Sequence, residues 1–187
     1  MNRLIPIFLA ALPLGARDAA QLELDLVRIA RVATVMVDGD VCQRIVTPRA
    51  LTSMLHPDPR DHFSSGDNYD VDDASFIAIK KTLMRLATLA DEPVDMNLWM
   101  PLPANPPRIQ IVIRNRYEMS QFWEWGALDQ PSIPAMRTVL DSGRPVTVKQ
   151  KPGFVSVLAP IRNSLGDVVG LVEAVARLQP DPRENVK

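Results

Sequence analysis

A single cysteine, Cys42, in 187 residues excludes an internal disulfide and any metal site built from several thiolates. It has no adjacent histidine, which favours a buried thiol over a nucleophile. Histidine is scarce as well: His56 and His62 lie six apart in the stretch HPDPRDH, whereas a helical ligand pair sits four apart on one face. Loop metal binding is one reading of that stretch; a solvated polar loop is the reading its spacing favours. Net charge is nearly absent, since 21 basic and 22 acidic residues leave −1, and this supplies no electrostatic footprint for nucleic acid. Glycine is sparse, with 8 residues against 17 prolines, where average usage is about 7% and about 5% respectively. The connections are therefore stiff, and a coiled coil is excluded. No G-x-S-x-G, P-loop, G-x-G-x-x-G or C-x-x-C occurs. The expectation is a non-catalytic protein with no metal and no cofactor.

What is present is enough hydrophobic residue, 47%, to rule out disorder and to build one domain with a sizeable core. Met1-Asn2-Arg3 is followed by a run from Leu4 to Ala16 that is apolar apart from Pro6 and Pro13. A membrane span needs about 20 residues, so this run is too short to cross but fits the apolar region of a secretory signal peptide. Cleavage after Ala16 or Ala19 would suit it, although Leu14 and Arg17 are poor flanking residues; a buried first helix or strand of a cytosolic protein is the competing reading. The division expected is a signal peptide over residues 1–16, one domain over 17–178 and a polar tail over 179–187, with a periplasmic or secreted location.

Between Arg17 and Met36, apolar Leu22, Leu26, Ile29, Val32, Ala33 and Met36 recur at helical spacing, and Glu23 and Asp25 lie near the start, where the helix dipole favours them. Gly39 is placed to end this helix as a left-handed cap. Residues 47–73 are rich in turn formers, with one short helix from Pro48 to Leu55. Asp72 or Asp73 caps a further helix whose apolar face is Phe76, Ile79, Leu83, Leu86 and Ala87. Lys80, Lys81 and Arg85 line its other side and read as a solvated face. From Val94 the period changes from 3.6 to 2, giving a strand of Val94, Met96, Leu98 and Met100 alternating with Asp95, Asn97 and Trp99. A proline-rich turn leads to a second strand around Ile109, Ile111 and Ile113. A short helix from Pro134 to Ser142 follows, with Gly143 just past its end, and then strands over Val146–Lys149, Phe154–Arg162 and Val168–Ala176. The fold class expected is α+β, a long N-terminal helix packed on a five-stranded antiparallel sheet, with the helices on one face.

This order resembles the PAS-like sensor domains of the Cache superfamily, found outside the bacterial membrane on signalling proteins. The likeness rests on the long helix running into Val35-Met36-Val37-Asp38-Gly39-Asp40, on the 76–90 helix followed by Met96-Asn97-Leu98-Trp99, on Gln130-Pro131-Ser132-Ile133-Pro134-Ala135-Met136, and on the hairpin from Val157 to Val172. PAS and GAF modules share that hairpin. The resemblance implies a small-molecule-binding sensory domain for signal transduction, with a pocket walled by the 117–133 segment.

The residues suit such a pocket. Trp99 shares a strand face with Asp95 and Asn97, and Arg114 with Gln110 and Val112; Arg116 and Tyr117 follow. Phe122, Trp123 and Trp125 fall within four residues. An arginine fork binds a carboxylate and aromatics enclose an apolar body, so a carboxylate or amino acid fits, with Asp129 to hold an ammonium group. The bland alternative keeps the aromatics in the core and the arginines on the outer sheet face. The partners expected are the small-molecule ligand, a second copy through amphipathic residues 18–36, and a histidine kinase or other envelope signalling protein, with no nucleic acid. Two other functions fit: an envelope interaction module with a closed pocket, and a cytosolic PAS or GAF module holding a cofactor such as haem.

Overall fold

The computed structural model describes residues 19–56, 58, 60, 71–123 and 133–178. The expected signal peptide, polar tail, His62, Trp125 and Asp129 lie outside them. Helix α1 (Ala19–Met36) buries Leu22, Leu26, Ile29, Ala30 and Ala33 against the sheet. Val32 and Met36, assigned to the same stripe from the spacing, face outward instead, with Leu24 and Val35. The helix thus presents its apolar stripe to its own sheet, and a second copy would have to meet the outward residues.

Gly39 does not cap α1. It opens a helix absent from the sequence reading, α2 (Gly39–Ile45), whose N-cap Asp38 accepts from the backbone N–H groups of Asp40 and Val41 at 2.9 and 3.1 Å. The Asp40 carboxylate in turn accepts from Ser164 N–H at 2.9 Å. A Cβ on Gly39 would stand 2.3 Å from the Arg162 carbonyl oxygen. The Asp-Gly-Asp motif is therefore a clasp: one carboxylate starts a helix, the glycine admits a strand backbone, and the second carboxylate ties down the hairpin turn. Cys42, one turn on, is fully buried, and burial with the nearby Asp38 charge pushes its thiol up to about 12, so it stays protonated and inert.

Helix α3 (Pro48–Leu55) starts at Pro48 with Thr47 as its cap, and α4 (Ala74–Ala87) starts at the Asp73 cap. The apolar face expected for α4 is the buried one, at Phe76, Ile79, Leu83 and Leu86. Lys80, however, is not part of a solvated face: its ammonium reaches the backbone carbonyl of Arg114.

Strands β1 (Val94–Leu102), β2 (Arg108–Ile113), β3 (Val146–Val148), β4 (Phe154–Arg162) and β5 (Val168–Arg177) form one antiparallel sheet in the order β2-β1-β5-β4-β3. On one face, Met96, Leu98, Val155, Val157, Val172 and Ala174 pack against α1, α2 and α4. The other face is covered too, which corrects the expectation of helices on one side only. There α5 (Pro134–Ser142) sets Met136 and Val139 against Leu158, Leu171 and Trp99. Both faces of the three central strands are dry, which is why β4 and β5 read as nearly continuous apolar runs.

Two turn glycines take the left-handed backbone their positions require, Gly143 after α5 (φ 62) and Gly166 in the β4–β5 turn (φ 87). Gly170 answers a different need: a Cβ there would lie 2.6 Å from Met100 Sδ and 3.0 Å from the Trp99 carbonyl oxygen. Gly39→Ala should cost about 1–3 kcal/mol of unfolding free energy or more, because the clash is with backbone that cannot swing aside. Val35→Ala, at a residue 81% exposed, should stay within about 0.5 kcal/mol. Chemical denaturation of the two variants checks the contrast.

Candidate functional site

The segment from Arg114 to Trp123 leaves β2 and runs as a strap across the second face of the sheet, and carboxylates from that face hold it. Asp95 on β1 accepts Tyr117 N–H with one oxygen (3.0 Å) and Met119 N–H with the other (2.8 Å). Catching two amides two residues apart bends the chain between them, and Glu118 sits there at φ 51, a left-handed conformation strained for a non-glycine residue.

Glu173, in the middle of the central strand β5, is fully buried. Its carboxylate accepts from Trp99 Nε1 (3.1 Å), Asn97 Nδ2 (3.2 Å), Ser120 Oγ (2.7 Å), Ser156 Oγ (2.8 Å) and Gln121 N–H (3.1 Å). These donors come from β1, β4 and the strap. Asn97 also donates to the Met119 carbonyl at 2.7 Å. The Gln121 side chain completes the fastening: it donates to the Val148 carbonyl at 2.7 Å and accepts from Gln150 and Lys151 N–H at 2.7 and 3.0 Å. Burial raises the proton affinity of Glu173 against the lowering effect of its hydrogen bonds, and burial likewise leads at Asp95, against its two backbone bonds and Lys80.

The strap's outer edge forms one side of a cleft of about 330 Å³ lined by Tyr117, Glu118, Met119, Ser120, Trp123, Lys151, Phe154 and Arg177. The Lys151 ammonium and the Arg177 guanidinium lie 5.4 and 5.2 Å from the centre of the Phe154 ring. The Arg114 guanidinium stacks 4.0 Å over the Trp123 ring and stands 3.5 Å from the Glu118 carboxylate. The site therefore offers cations, aromatic faces and one carboxylate within a single concavity.

Of the residues singled out from the sequence, Tyr117 and Trp123 line this cleft and Arg114 backs it. Trp99 lies beneath the strap, wholly buried, and Phe122 of the strap packs edge to face on it with ring centres 6.3 Å apart. Arg116 is exposed and turns to a second cleft on the far side of Tyr117. Arg114 does not share a face with Val112 as strict alternation requires. The pairing of β1 with β2 jumps from Trp99–Ile111 to Leu98–Ile113, so a bulge at Val112 reverses the parity and sends Arg114 to the strap side. Lys151, Phe154 and Arg177 escaped the sequence reading; their one signal is that Phe154 and Arg177 fall in step with Ser156 and Glu173 on their strands. Asp95 and Asn97 were placed on the right face, but Glu173, Ser120, Ser156 and Gln121 went unrecognised. Among the described residues no group of three or more acidic, histidine or cysteine side chains could hold a metal, and no helix is long and apolar enough to cross a membrane.

Compared with known protein families, curated proteins and solved structures, the chain shows no match.

Removing the Glu173 carboxylate leaves buried donors unpaired, each worth about 1–3 kcal/mol. Glu173→Ala should therefore lose at least about 3 kcal/mol of stability. The two raised carboxylates also give a signed pH dependence. Each binds its proton more tightly folded than unfolded, so its stabilising contribution is complete below the ordinary values, 4.5 for Glu173 and 3.8 for Asp95, and disappears as pH rises through the folded value. The melting temperature of the wild type relative to Glu173→Gln should accordingly fall as pH is raised from 4 to 8. A difference that stays constant across that range would refute the assignment.

Proposed function

We propose that this protein is a non-catalytic, small-molecule-binding sensory module whose ligand is a carboxylate, an α-amino acid being the best fit. The observation that carries the reading is the cleft beside the strap, where Lys151 and Arg177 converge on Phe154 opposite Trp123, Tyr117 and Glu118. A ligand carboxylate would be held by the two cations, its ammonium by Glu118, and its side chain by the aromatic walls. The α+β architecture and the resemblance of the sequence to PAS-like Cache sensors support the same reading. On it, the protein is exported to the periplasm or outer surface and passes its signal to an envelope partner such as a histidine kinase.

The mechanism follows from the strap. Ligand contacts at Tyr117, Glu118 and Trp123 act on a segment fastened by Asp95 and Glu173 to β1 and β5, and β5 packs on α1. A ligand that prefers one of two strap arrangements would shift the population between them and so the surface that α1 presents.

A second reading, an interaction module with a closed pocket, draws on the space under the strap, where Trp99 is wholly covered and Glu173 takes five hydrogen bonds. Thermal-shift and calorimetric screening against amino acids, dicarboxylates and purines separates the two. Sensing predicts a carboxylate hit that Lys151→Ala, Arg177→Ala and Trp123→Ala each weaken at least about tenfold, or about 1.4 kcal/mol. No binding across the library favours docking. Sedimentation of the protein with and without the hit tests the α1 dimer.

A further inference from the structure

We infer that Gln121 is the positioning residue of the carboxylate site: it sets Lys151 in place from the strap, so that both cations of the cleft are referenced to the buried Glu173. The inference rests on the carboxylate reading and deepens it, by naming the group that fixes the spacing of the two cations.

Arg177 is placed by strand pairing. It follows Glu173 by four residues on the same face of β5 and stands directly opposite Phe154 in the β4–β5 register. Lys151 has no such support, because it lies in the turn between β3 and β4, beyond the last pair of those strands, Val148–Ser156. Pro152 biases Lys151 toward extended backbone but brings no N–H of its own to pin the turn.

Gln121 supplies what the turn lacks. Its amide oxygen accepts the N–H groups of Gln150 and Lys151 at 2.7 and 3.0 Å, while its amide nitrogen donates to the Val148 carbonyl at 2.7 Å. The side-chain amide thus serves the end of β3 as a peptide group of a further strand would. On the other side, the Lys151 carbonyl accepts Phe154 N–H at 3.1 Å, and the Gly153 carbonyl accepts Leu178 N–H at 2.8 Å. Lysine carries its charge on a flexible four-carbon stem, so a backbone held at both its N–H and its C=O narrows where that charge can go. The result is two cations on one ring, with Lys151 5.4 Å and Arg177 5.2 Å from the centre of Phe154. The Gln121 backbone N–H donates to Glu173 at 3.1 Å, which closes the circuit. Glu173 anchors the residue that holds Lys151, and its own strand carries Arg177. A carboxylate engaging both cations therefore meets a preorganised pair, and the strap cannot shift without moving the Lys151 turn.

A double-mutant cycle, read by calorimetry with L-phenylalanine as the probe, separates positioning through Lys151 from a general loosening of the cleft. Gln121→Met keeps the volume and removes the three side-chain hydrogen bonds. It should weaken the probe at least about fivefold in the wild-type background, and less than about twofold once Lys151→Ala has removed the ammonium. In the Arg177→Ala background the loss of about fivefold should persist. Equal losses in all three backgrounds would mean that Gln121 only stiffens the cleft, and would overturn the assignment. NMR adds a readout that requires no ligand: the Lys151 side-chain protons, displaced by the Phe154 ring current, should move toward random-coil positions in Gln121→Met. Unchanged Lys151 shifts would equally overturn it. Should Gln121→Met fail to fold, Gln121→Thr, too short to reach the turn, takes its place. A wild type that does not bind L-phenylalanine counts against the carboxylate reading for that probe, and the Lys151 shifts still decide the role of Gln121.

Discussion

The second face of this molecule is organised around one buried carboxylate. Glu173 occupies the middle of the central strand, where a charge or even a neutral acid has no water to turn to. It is tolerable there only because five donors converge on it, and they come from both neighbouring strands and from a strap remote in sequence. Each donor constrains its own element. Asn97 must lie opposite Glu173 in the β1–β5 register, Ser156 must fall in step on β4, and the strap must bring Ser120 and Gln121 across the sheet. A register slip of one residue on either neighbour would turn its donor to the other face and leave the acid unpaired. The polar network thus selects one arrangement among those that hydrophobic burial alone would accept.

This constraint also decides what the strap can carry on its outer edge. Because hydrogen bonds at Asp95, Asn97 and Glu173 hold the strap down, its outer edge need not be apolar. It carries Glu118 in a strained turn, the exposed Tyr117, and Arg114 stacked on Trp123. The two clefts flank this edge, one with Lys151, Arg177 and Glu118 in its lining and one with Asp91, Glu92 and Arg116, and both reach Tyr117. The difference between them follows from which element lies beside the strap: Lys151 in the β3–β4 turn and Arg177 at the end of β5 on one side, and Asp91 and Glu92 just past the end of α4 on the other.

Much of the fold was legible because local rules and the fold agree. The bounds of β4, α3 and α5 follow from flanking turn formers and caps, and helical spacing locates α1 and α4, although the 76–90 range read for the latter runs past its end at Ala87. The failures have particular causes. Gly39 has the composition of a helix stop but serves to let the Arg162 backbone approach, a long-range requirement that no local pattern carries. The parity of Arg114 depends on a bulge at Val112, invisible in a sequence that alternates across it. Lys80 looks like one of three solvated cations until Arg114 brings its carbonyl alongside. At the site, aromatic and arginine residues drew notice because their type suggests binding, whereas Glu173, Ser120, Ser156 and Gln121 are ordinary residues whose meaning lies in their convergence.

By itself, then, the sequence determined the class of elements and which face of each is apolar, since periodicity and capping act over a few residues. Only the tertiary structure decided that both sheet faces are covered, that a buried acid gathers the strap, and that Lys151, Phe154 and Arg177 share a cleft with Trp123. Those outcomes depend on contacts between residues far apart in the chain, Asn97 and Glu173 being 76 positions apart, and the hydrogen-bonding needs of a single buried carboxylate become visible only when its neighbours are in place.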